Sequence, residues 1–334
     1  MESIDLQKLF FNHVRSKLPG HLSFVEEVAD TLDISTDSAY RRIRGEKPIS
    51  LEEIQKVCEK FQISLDHILG LNTNSTVFFG NWIGSENFDF EKYVTDMLYQ
   101  MKSIAALENC LMFIETKDIP PFLHFQFPEL SRFKSFFWNK TILSFPDYNK
   151  LHYEDYQMSE RIRAIETEII NTYRKIPSIE IWSAETITSS IHQVEFYKES
   201  GVFKDKETPA IIYNELLKLV NHIEAEAEAG EKFVYGSLPS GNDKNYQLYF
   251  NEVFLGHNTI LAEGSNSKTV FINHGVLNYM ITRDKQFCDA TKKSLENTLR
   301  KSSLISTVNE KERQRYFNDL RRKIESKKGS QVSD

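Results

Sequence analysis

The sequence lacks any apolar run of the roughly 18 to 20 residues that a membrane-spanning helix needs. Its N-terminal residues also lack the basic segment and apolar core of a secretory signal. The three cysteines, Cys58, Cys110 and Cys288, are far apart and odd in number, and none belongs to a Cys-x-x-Cys pair. We therefore expect no membrane segment, no disulfide framework and no cysteine zinc site, and we expect the protein in the reducing cytoplasm.

Motifs of enzymes are equally scarce. His192 and Glu195 share a helix face, but the second histidine of a zinc peptidase is missing. The glycine-rich stretch 236–241 lacks the Lys and Ser/Thr of a phosphate-binding loop. His274 could point into a pocket, although a histidine satisfied at a turn is the commoner arrangement. With no nucleophile–base pair recognisable, we expect no enzyme, no metal and no cofactor.

The charge balance constrains any nucleic-acid function. The chain has 41 Lys and Arg against 48 Asp and Glu, for a net charge of −7. DNA-binding proteins are often basic, because neutralised phosphates supply much of the affinity. A DNA site in this chain must therefore be a local basic patch.

The 334 residues are enough for two or three domains. The polar stretch 71–76 is the best candidate boundary. It predicts a domain at 1–72 and a larger one at 77–334. Most of the 24 Phe and 14 Tyr follow residue 75, so the second domain should have a packed interior.

The first seventy residues predict five short helices. An apolar stripe at four-residue spacing marks the first, over 4–18, before a Pro-Gly stop. The second starts near Ser23, and a short turn, 33–35, leads to the third, which Gly45 ends in a left-handed conformation. Ser50 and Glu53 form a capping box at the start of the fourth helix. Residues 64–70 complete the set.

The stretch from Val25 to Leu69 resembles the Cro/C1-type, lambda-repressor-like (Xre) DNA-binding domain. The resemblance rests on Val28–Leu32, the turn at Ile34–Ser35, Arg44–Pro48, Ile49–Ile54 and Phe61–Leu69. It covers about a fifth of the chain and implies an all-α five-helix fold. One position departs from the family pattern: Arg42 stands where an apolar residue is usual, so we expect Ile43 to be the buried anchor.

The resemblance implies a recognition helix that enters the major groove of double-stranded DNA. Thr36 and Ser38 are then candidates for base contacts, and Arg41 for a bidentate contact to guanine. Arg44 and Lys47 are candidates for phosphate contacts. The DNA-binding set is completed by Ser35, Tyr40 and Asp37, the last of which would accept from a cytosine amino group.

These features indicate a sequence-specific transcriptional regulator. The competing class is a protein-interaction module, antitoxin-like or adaptor, whose helix-turn-helix has lost contact with DNA. The two differ in whether charge reversal in the recognition helix destroys activity.

The remaining chain predicts an α+β domain that senses a small-molecule effector, dimerises, or both. Its helices are expected near 90–101, 157–173, 184–199, 207–229, 285–303 and 308–327. Strands are expected near 110–115, 179–182, 248–250, 253–255 and 276–282, with a hairpin formed by 258–262 and 269–273. The aromatic stretch Phe133–Trp138 and the amphipathic last helix are the predicted homodimer surfaces. The basic side chains of that helix are expected to be solvated, because acidic residues are interleaved with them.

Overall fold

The computed structural model divides the chain into two compact units, Met1–Val77 and Phe78–Asp334. It describes residues 6–18, 22–61, 63, 65, 68, 76–80, 89–252 and 258–329. No helix within these ranges is both long enough and apolar enough to span a membrane.

The first unit is helical throughout the part that is described. Its helices are α1 (Leu6–Lys17), α2 (Phe24–Leu32), α3 (Thr36–Ile43) and α4 (Leu51–Phe61). Their apolar faces meet in one core built on Phe10, Phe11, Val14, Val28 and Val57. The predicted fifth helix lies mostly outside the described residues, although Leu65 and Ile68 pack against this core. A helix-turn-helix arrangement is therefore present, and the count of five stays a prediction.

Two local signals place the ends of these helices. The capping box is confirmed: the Glu53 N–H donates to Ser50 Oγ (3.2 Å), and the Ser50 N–H donates to Glu53 Oε2 (3.0 Å). Gly45 has φ +78°, the left-handed conformation predicted for it after α3.

The second unit contains a mixed sheet of eight described strands. They are β1 (Phe79–Gly80), β2 (Leu111–Thr116), β3 (Ser178–Ser183), β4 (Tyr246–Asn251), β5 (Thr259–Glu263), β6 (Lys268–Asn273), β7 (Tyr279–Thr282) and β8 (Ser303–Leu304). Their order across the sheet is β1-β7-β6-β5-β2-β3-β4-β8. The three strands β2, β3 and β4 are parallel, and every other pairing is antiparallel.

The predicted hairpin is confirmed, since β5 and β6 pair antiparallel with Glu263 opposite Lys268. The predicted strand 253–255 lies outside the described residues. Parallel pairing at the centre of the sheet was not foreseen, because pattern alone does not reveal which strands are neighbours.

Helices cover both faces of this sheet. They are α5 (Phe90–Ala105), α6 (Pro128–Phe137), α7 (Glu160–Tyr173), α8 (Thr188–Glu199), α9 (Thr208–Ala229), α10 (Lys285–Leu299) and α11 (Glu310–Gly329). Met112 and Ile114 of β2 point into the larger core, whereas Phe113 between them packs with Cys288 and Leu295 of α10. The alternation follows from the two-residue period of a strand. Helix α10 thus covers the second face.

The segments predicted to form a dimer surface are buried inside the second unit. Phe133, Phe136 and Trp138 belong to the larger core, where Phe136 lies 5.8 Å from Tyr197 between ring centroids. Phe317 of α11 is also buried. The prediction was wrong for both segments, because a run of aromatic or amphipathic residues does not reveal whether its partner lies in the same chain.

Candidate nucleic-acid interface

A three-residue turn sets the start of the predicted recognition helix. Asp33 has φ +55° after α2, and the Ile34 N–H donates to the Ala29 carbonyl (3.0 Å). Ser35 is the N-cap of α3, and its hydroxyl accepts from the Ser38 N–H (3.3 Å). This bond satisfies one of the free N–H groups of the first helical turn. Ser35 therefore has a structural role in addition to any contact with DNA.

One face of α3 is exposed and carries the side chains that the sequence singled out. Thr36, Asp37, Tyr40 and Arg41 are exposed along it, and Ser38 is half-buried. Ala39 on the opposite face is fully buried. Arg44 and Lys47 are exposed just beyond the helix. All eight predicted residues therefore lie on α3 or within four residues of its ends, and their contact with DNA stays a prediction.

The prediction that Ile43 is the buried anchor of α3 is wrong. Arg42, rather than Ile43, occupies the buried position, and its side chain is only 7% exposed. Its Nε donates to Glu53 Oε2 (2.9 Å), and its Nη2 donates to Glu53 Oε1 (2.7 Å). Nη1 reaches back to the Ser38 carbonyl (3.3 Å). Ile43 is partly buried at the edge of the core. A guanidinium can replace an apolar anchor here because a carboxylate compensates its charge.

Glu53 therefore joins two helices. Its carboxylate completes the capping box of α4 and pairs with Arg42 of α3. Hydrogen bonds from Arg42 hold the pKa of Glu53 below its ordinary value, and they outweigh the opposing effect of partial burial. The capping box was recognised in the sequence, whereas its second use as an ion-pair partner was missed.

Gln7 of α1 is a further residue that sequence reasoning missed. Its amide Nε2 donates to the carbonyls of Arg42 and Lys47, each at 2.7 Å. Its Oε1 accepts from the Ile49 N–H (3.1 Å). One side chain therefore holds both ends of the loop that follows α3. The sequence contains no local signal for this contact, because the partners are 35 to 42 residues away.

The basic side chains of the exposed face differ in how they are held. The Arg44 guanidinium lies 4.9 Å from the Tyr40 ring centroid and 3.5 Å from Glu46 Oε1. Within the described residues, no hydrogen bond or ion pair engages the Arg41 guanidinium. Arg41 is thus available to a ligand without losing an existing contact.

The other candidate sites of the sequence do not assemble. Glu195 accepts from the Tyr213 hydroxyl (2.6 Å), while His192 is exposed. The glycine-rich loop is folded around the Glu231 carboxylate, which accepts from the N–H groups of Ser240 and Gly241. Across the ranges that the structure describes, no cluster of three or more His, Cys, Asp or Glu could hold a metal.

His274 and basic residues of the terminal helix also make structural contacts within the second unit. The His274 N–H donates to the Asn278 carbonyl (2.7 Å), and the side chain is exposed at the turn. In α11, Arg321 pairs with Glu224 of α9 (2.6 Å). Arg313 is buried, and donates to the Ile305 carbonyl. These basic residues are engaged within their own unit.

A comparison with protein families identifies the type of domain at the N-terminus. The model of the BetR domain, a helix-turn-helix-like DNA-binding family, matches residues 20–83. The match spans α2, α3 and α4, and covers about a fifth of the chain. It suggests a DNA-binding regulatory role. The narrower Cro/C1 or Xre assignment stays a prediction. No curated protein matches the chain in a sequence search.

Proposed function

We propose that this protein is a sequence-specific DNA-binding transcriptional regulator. In this proposal α3 reads the bases in the major groove of double-stranded DNA. The observation that carries the proposal is the exposed face of α3 within a segment that matches the BetR domain. Residues 38–50 contain three exposed basic residues and one acidic residue, in a chain that is acidic overall; the fourth basic residue, Arg42, is buried and paired with Glu53. This local excess of positive charge is what a phosphate-binding surface requires.

The geometry favours different contacts with DNA for different parts of α3. Thr36 and Ser38 lie in its first turn, the part of a recognition helix that reaches base edges. Arg41 is free for a bidentate contact to guanine. Arg44 and Lys47, beyond the C-terminal end, are placed for phosphate contacts that fix the register. Asp37 fits beside a cytosine amino group.

The second unit is proposed to sense an effector, to pair two copies, or both. A single helix-turn-helix contacts too few base pairs to find a site among the competing sites of a genome. A two-fold dimer solves this by binding two half-sites about one helical turn apart. The homodimer is proposed on this argument alone, since the segments first assigned to it are buried.

The test is a selection from random double-stranded oligonucleotides with the full-length protein. An enriched motif that binds wild type, and that Arg41→Glu fails to bind, is the expected result. Lys56→Glu is the matched control, because Lys56 is an exposed lysine on α4 of the same unit. A selection that enriches nothing at low salt would overturn the proposal.

A protein-interaction module is the second candidate. It is favoured by two exposed apolar side chains of the first unit, Leu51 (77% exposed) and Tyr40 (45%). A module of this kind would keep its activity in cells after the Arg41→Glu substitution and lose it after Leu51→Glu. A DNA-binding regulator would respond in the opposite way.

A further inference from the structure

The second unit contains a cavity of about 340 Å³ at the carboxyl end of β2. Its wall is built from segments that are distant in sequence. Asp118 follows β2, Lys134 comes from α6, Ser190 from the first turn of α8, and Asn273 from the end of β6. The carboxyl ends of parallel strands are where α/β folds commonly bind ligands.

A buried lysine lines one wall of the cavity. Lys134 is 4% exposed, and its Nζ donates to Ser190 Oγ and Gln193 Oε1, each at 2.7 Å. In the described part of the chain no carboxylate lies within ion-pairing distance of this ammonium. The Asp118 carboxyl, beyond that distance, compensates the charge only in part, and an incompletely compensated buried charge is costly. An anion in the cavity would compensate it.

The first turn of α8 adds to the same wall. Ser189 and Ser190 line the cavity, and no side chain caps this end of the helix. The N-terminal end of a helix attracts anions through its free N–H groups and its dipole. Lys134 and the helix end both favour negative charge, and the Asp118 carboxyl, which accepts a hydrogen bond from the Ser189 side chain, already lies beside them.

The cavity also offers acceptors that have no donor. His124 is 2% exposed, and its Nδ1 lies 3.0 Å from the Pro121 carbonyl, which can only accept. Nδ1 thus carries the proton, and Nε2 is an acceptor that has no hydrogen-bond partner among the residues that the structure describes. Burial lowers the pKa of His124, which keeps the ring neutral. Asn273 Oδ1 is also buried, with no partner within the described ranges. The Asp118 carboxyl lines this cavity as well.

We propose that the cavity binds a small zwitterion of the amino-acid class. Its carboxylate lies against Lys134 and the first turn of α8. Its ammonium donates to Asp118 and to the unpaired acceptors of His124 and Asn273. The side chain packs on the apolar part of the wall, which includes Trp138. The volume suits a molecule of amino-acid size and is at the small end of ligand pockets.

The binding site stands on the second unit alone, whereas its use as an effector site rests on the proposed regulatory function. The test therefore contains no DNA. The full-length protein is titrated with each of the proteinogenic amino acids by calorimetry, and thermal unfolding is followed in parallel. At least one amino acid should bind and raise the unfolding temperature. If none of them binds at millimolar concentration, the proposal is wrong, and the DNA-binding proposal is unaffected.

Variants and ligand analogues test the assigned contacts separately. Lys134→Met should fold, because it removes a buried charge that is only partly compensated, and should weaken binding at least tenfold. Lys198→Met, near the other end of α8, should bind as wild type does. With wild-type protein, the amide of the bound amino acid and its analogue lacking the amino group should each bind at least tenfold more weakly. Unchanged affinity of Lys134→Met, or of either analogue, would overturn the proposal.

Discussion

Arg42 of α3 and Glu53 of α4 form a bidentate ion pair, with N–O distances of 2.9 and 2.7 Å. The Glu53 carboxylate is also the second half of the capping box that begins α4. One of its oxygens, Oε2, therefore serves both the start of α4 and the orientation of α3 against it. Since α3 carries the proposed DNA-reading face, the pair controls that face without belonging to it.

A double-mutant cycle should detect this pair. Glu53→Gln should lower the free energy of unfolding of the first unit by about 3 kcal/mol, because it leaves the buried Arg42 uncompensated. Arg42→Met should cost less, because Glu53 is only partly buried. The double variant should lose less than the sum of the two single effects. Hydrogen exchange of the α3 and α4 amides in the full-length protein measures these changes. Additive effects would show that the two side chains do not stabilise one another.

The pair should also respond to acid. Hydrogen bonding to Arg42 lowers the pKa of Glu53 in the folded state, so the pair stabilises the first unit at neutral pH. That contribution is lost as the pH falls from the ordinary glutamate value through the lowered one. Protection of the α3 amides should fall over this window in wild type and stay flatter in Glu53→Gln. Equal pH profiles would contradict the assignment.

The basic residue within α3 and the one beyond its end should affect DNA binding in different ways. Arg41→Ala should cost about 1–3 kcal/mol on the selected site and relax its preference at one or two base pairs. Lys47→Ala should weaken binding to all sequences about equally and reduce the salt dependence. Lys56→Ala is the control for the loss of one charge. If Arg41→Ala and Lys47→Ala both bind as wild type does, the assigned face is wrong.

The sequence predicted most elements of the fold because their signals are local. The capping box at Ser50 and Glu53, the left-handed Gly45 and the hairpin ending at Asn273 each depend on residues a few positions apart. Helix and strand positions in the second unit follow from the same short-range periodicity. These parts could be predicted without knowing which elements touch.

What the sequence could not predict depends on contacts between distant segments. Ile43 was predicted in place of Arg42 as the buried anchor of α3, because nothing nearby in the sequence marks Glu53 as the partner of Arg42. The contacts of Gln7 with the loop after α3 were missed for the same reason. The cavity joins Asp118, Lys134 and Asn273 through the order of the strands, which periodicity does not determine. The Phe133–Trp138 stretch was misassigned because its aromatic partners lie elsewhere in the same unit.

A buried carboxylate in the sheet should be essential for the stability of the second unit. Glu180 of β3 accepts from the Tyr173 hydroxyl, Ser178 Oγ (3.0 Å) and Trp182 Nε1 (3.0 Å). Burial raises its pKa, and the nearby Lys232 opposes that effect. Glu180→Gln should lower the free energy of unfolding by about 3 kcal/mol, because the amide faces donors with a donor of its own.

Chemical denaturation of the full-length variant checks this value. Glu199→Gln, at an exposed position on α8, is the control and should be neutral. A Glu180→Gln variant as stable as wild type would mean that the carboxyl is already protonated in the folded protein.

The oligomeric state tests the argument from operator symmetry. Sedimentation of the full-length protein at micromolar concentration should give a dimer, and the selected DNA motif should have two-fold symmetry. The measurement does not depend on which surface forms the contact. A monomer that selects an asymmetric motif would contradict the proposed dimer.

Lys134 should make the stability of the second unit depend on pH even without a ligand. Burial lowers its pKa from 10.5 to about 7, and the charge of Asp118 opposes this only in part. Between these two pH values the unfolded chain binds the proton and the folded chain does not, so raising the pH favours folding.

Other ionisable groups around the cavity include His124, Asp118 and Tyr279, and they are common to wild type and Lys134→Met. The stability of wild type relative to Lys134→Met should therefore increase from about pH 7 upward, by at most about 1.4 kcal/mol for each pH unit. Urea unfolding of both proteins from pH 6 to pH 9.5 measures the difference. A difference that does not change with pH would show that Lys134 is fully protonated in the folded state, with its charge compensated by a group other than a ligand.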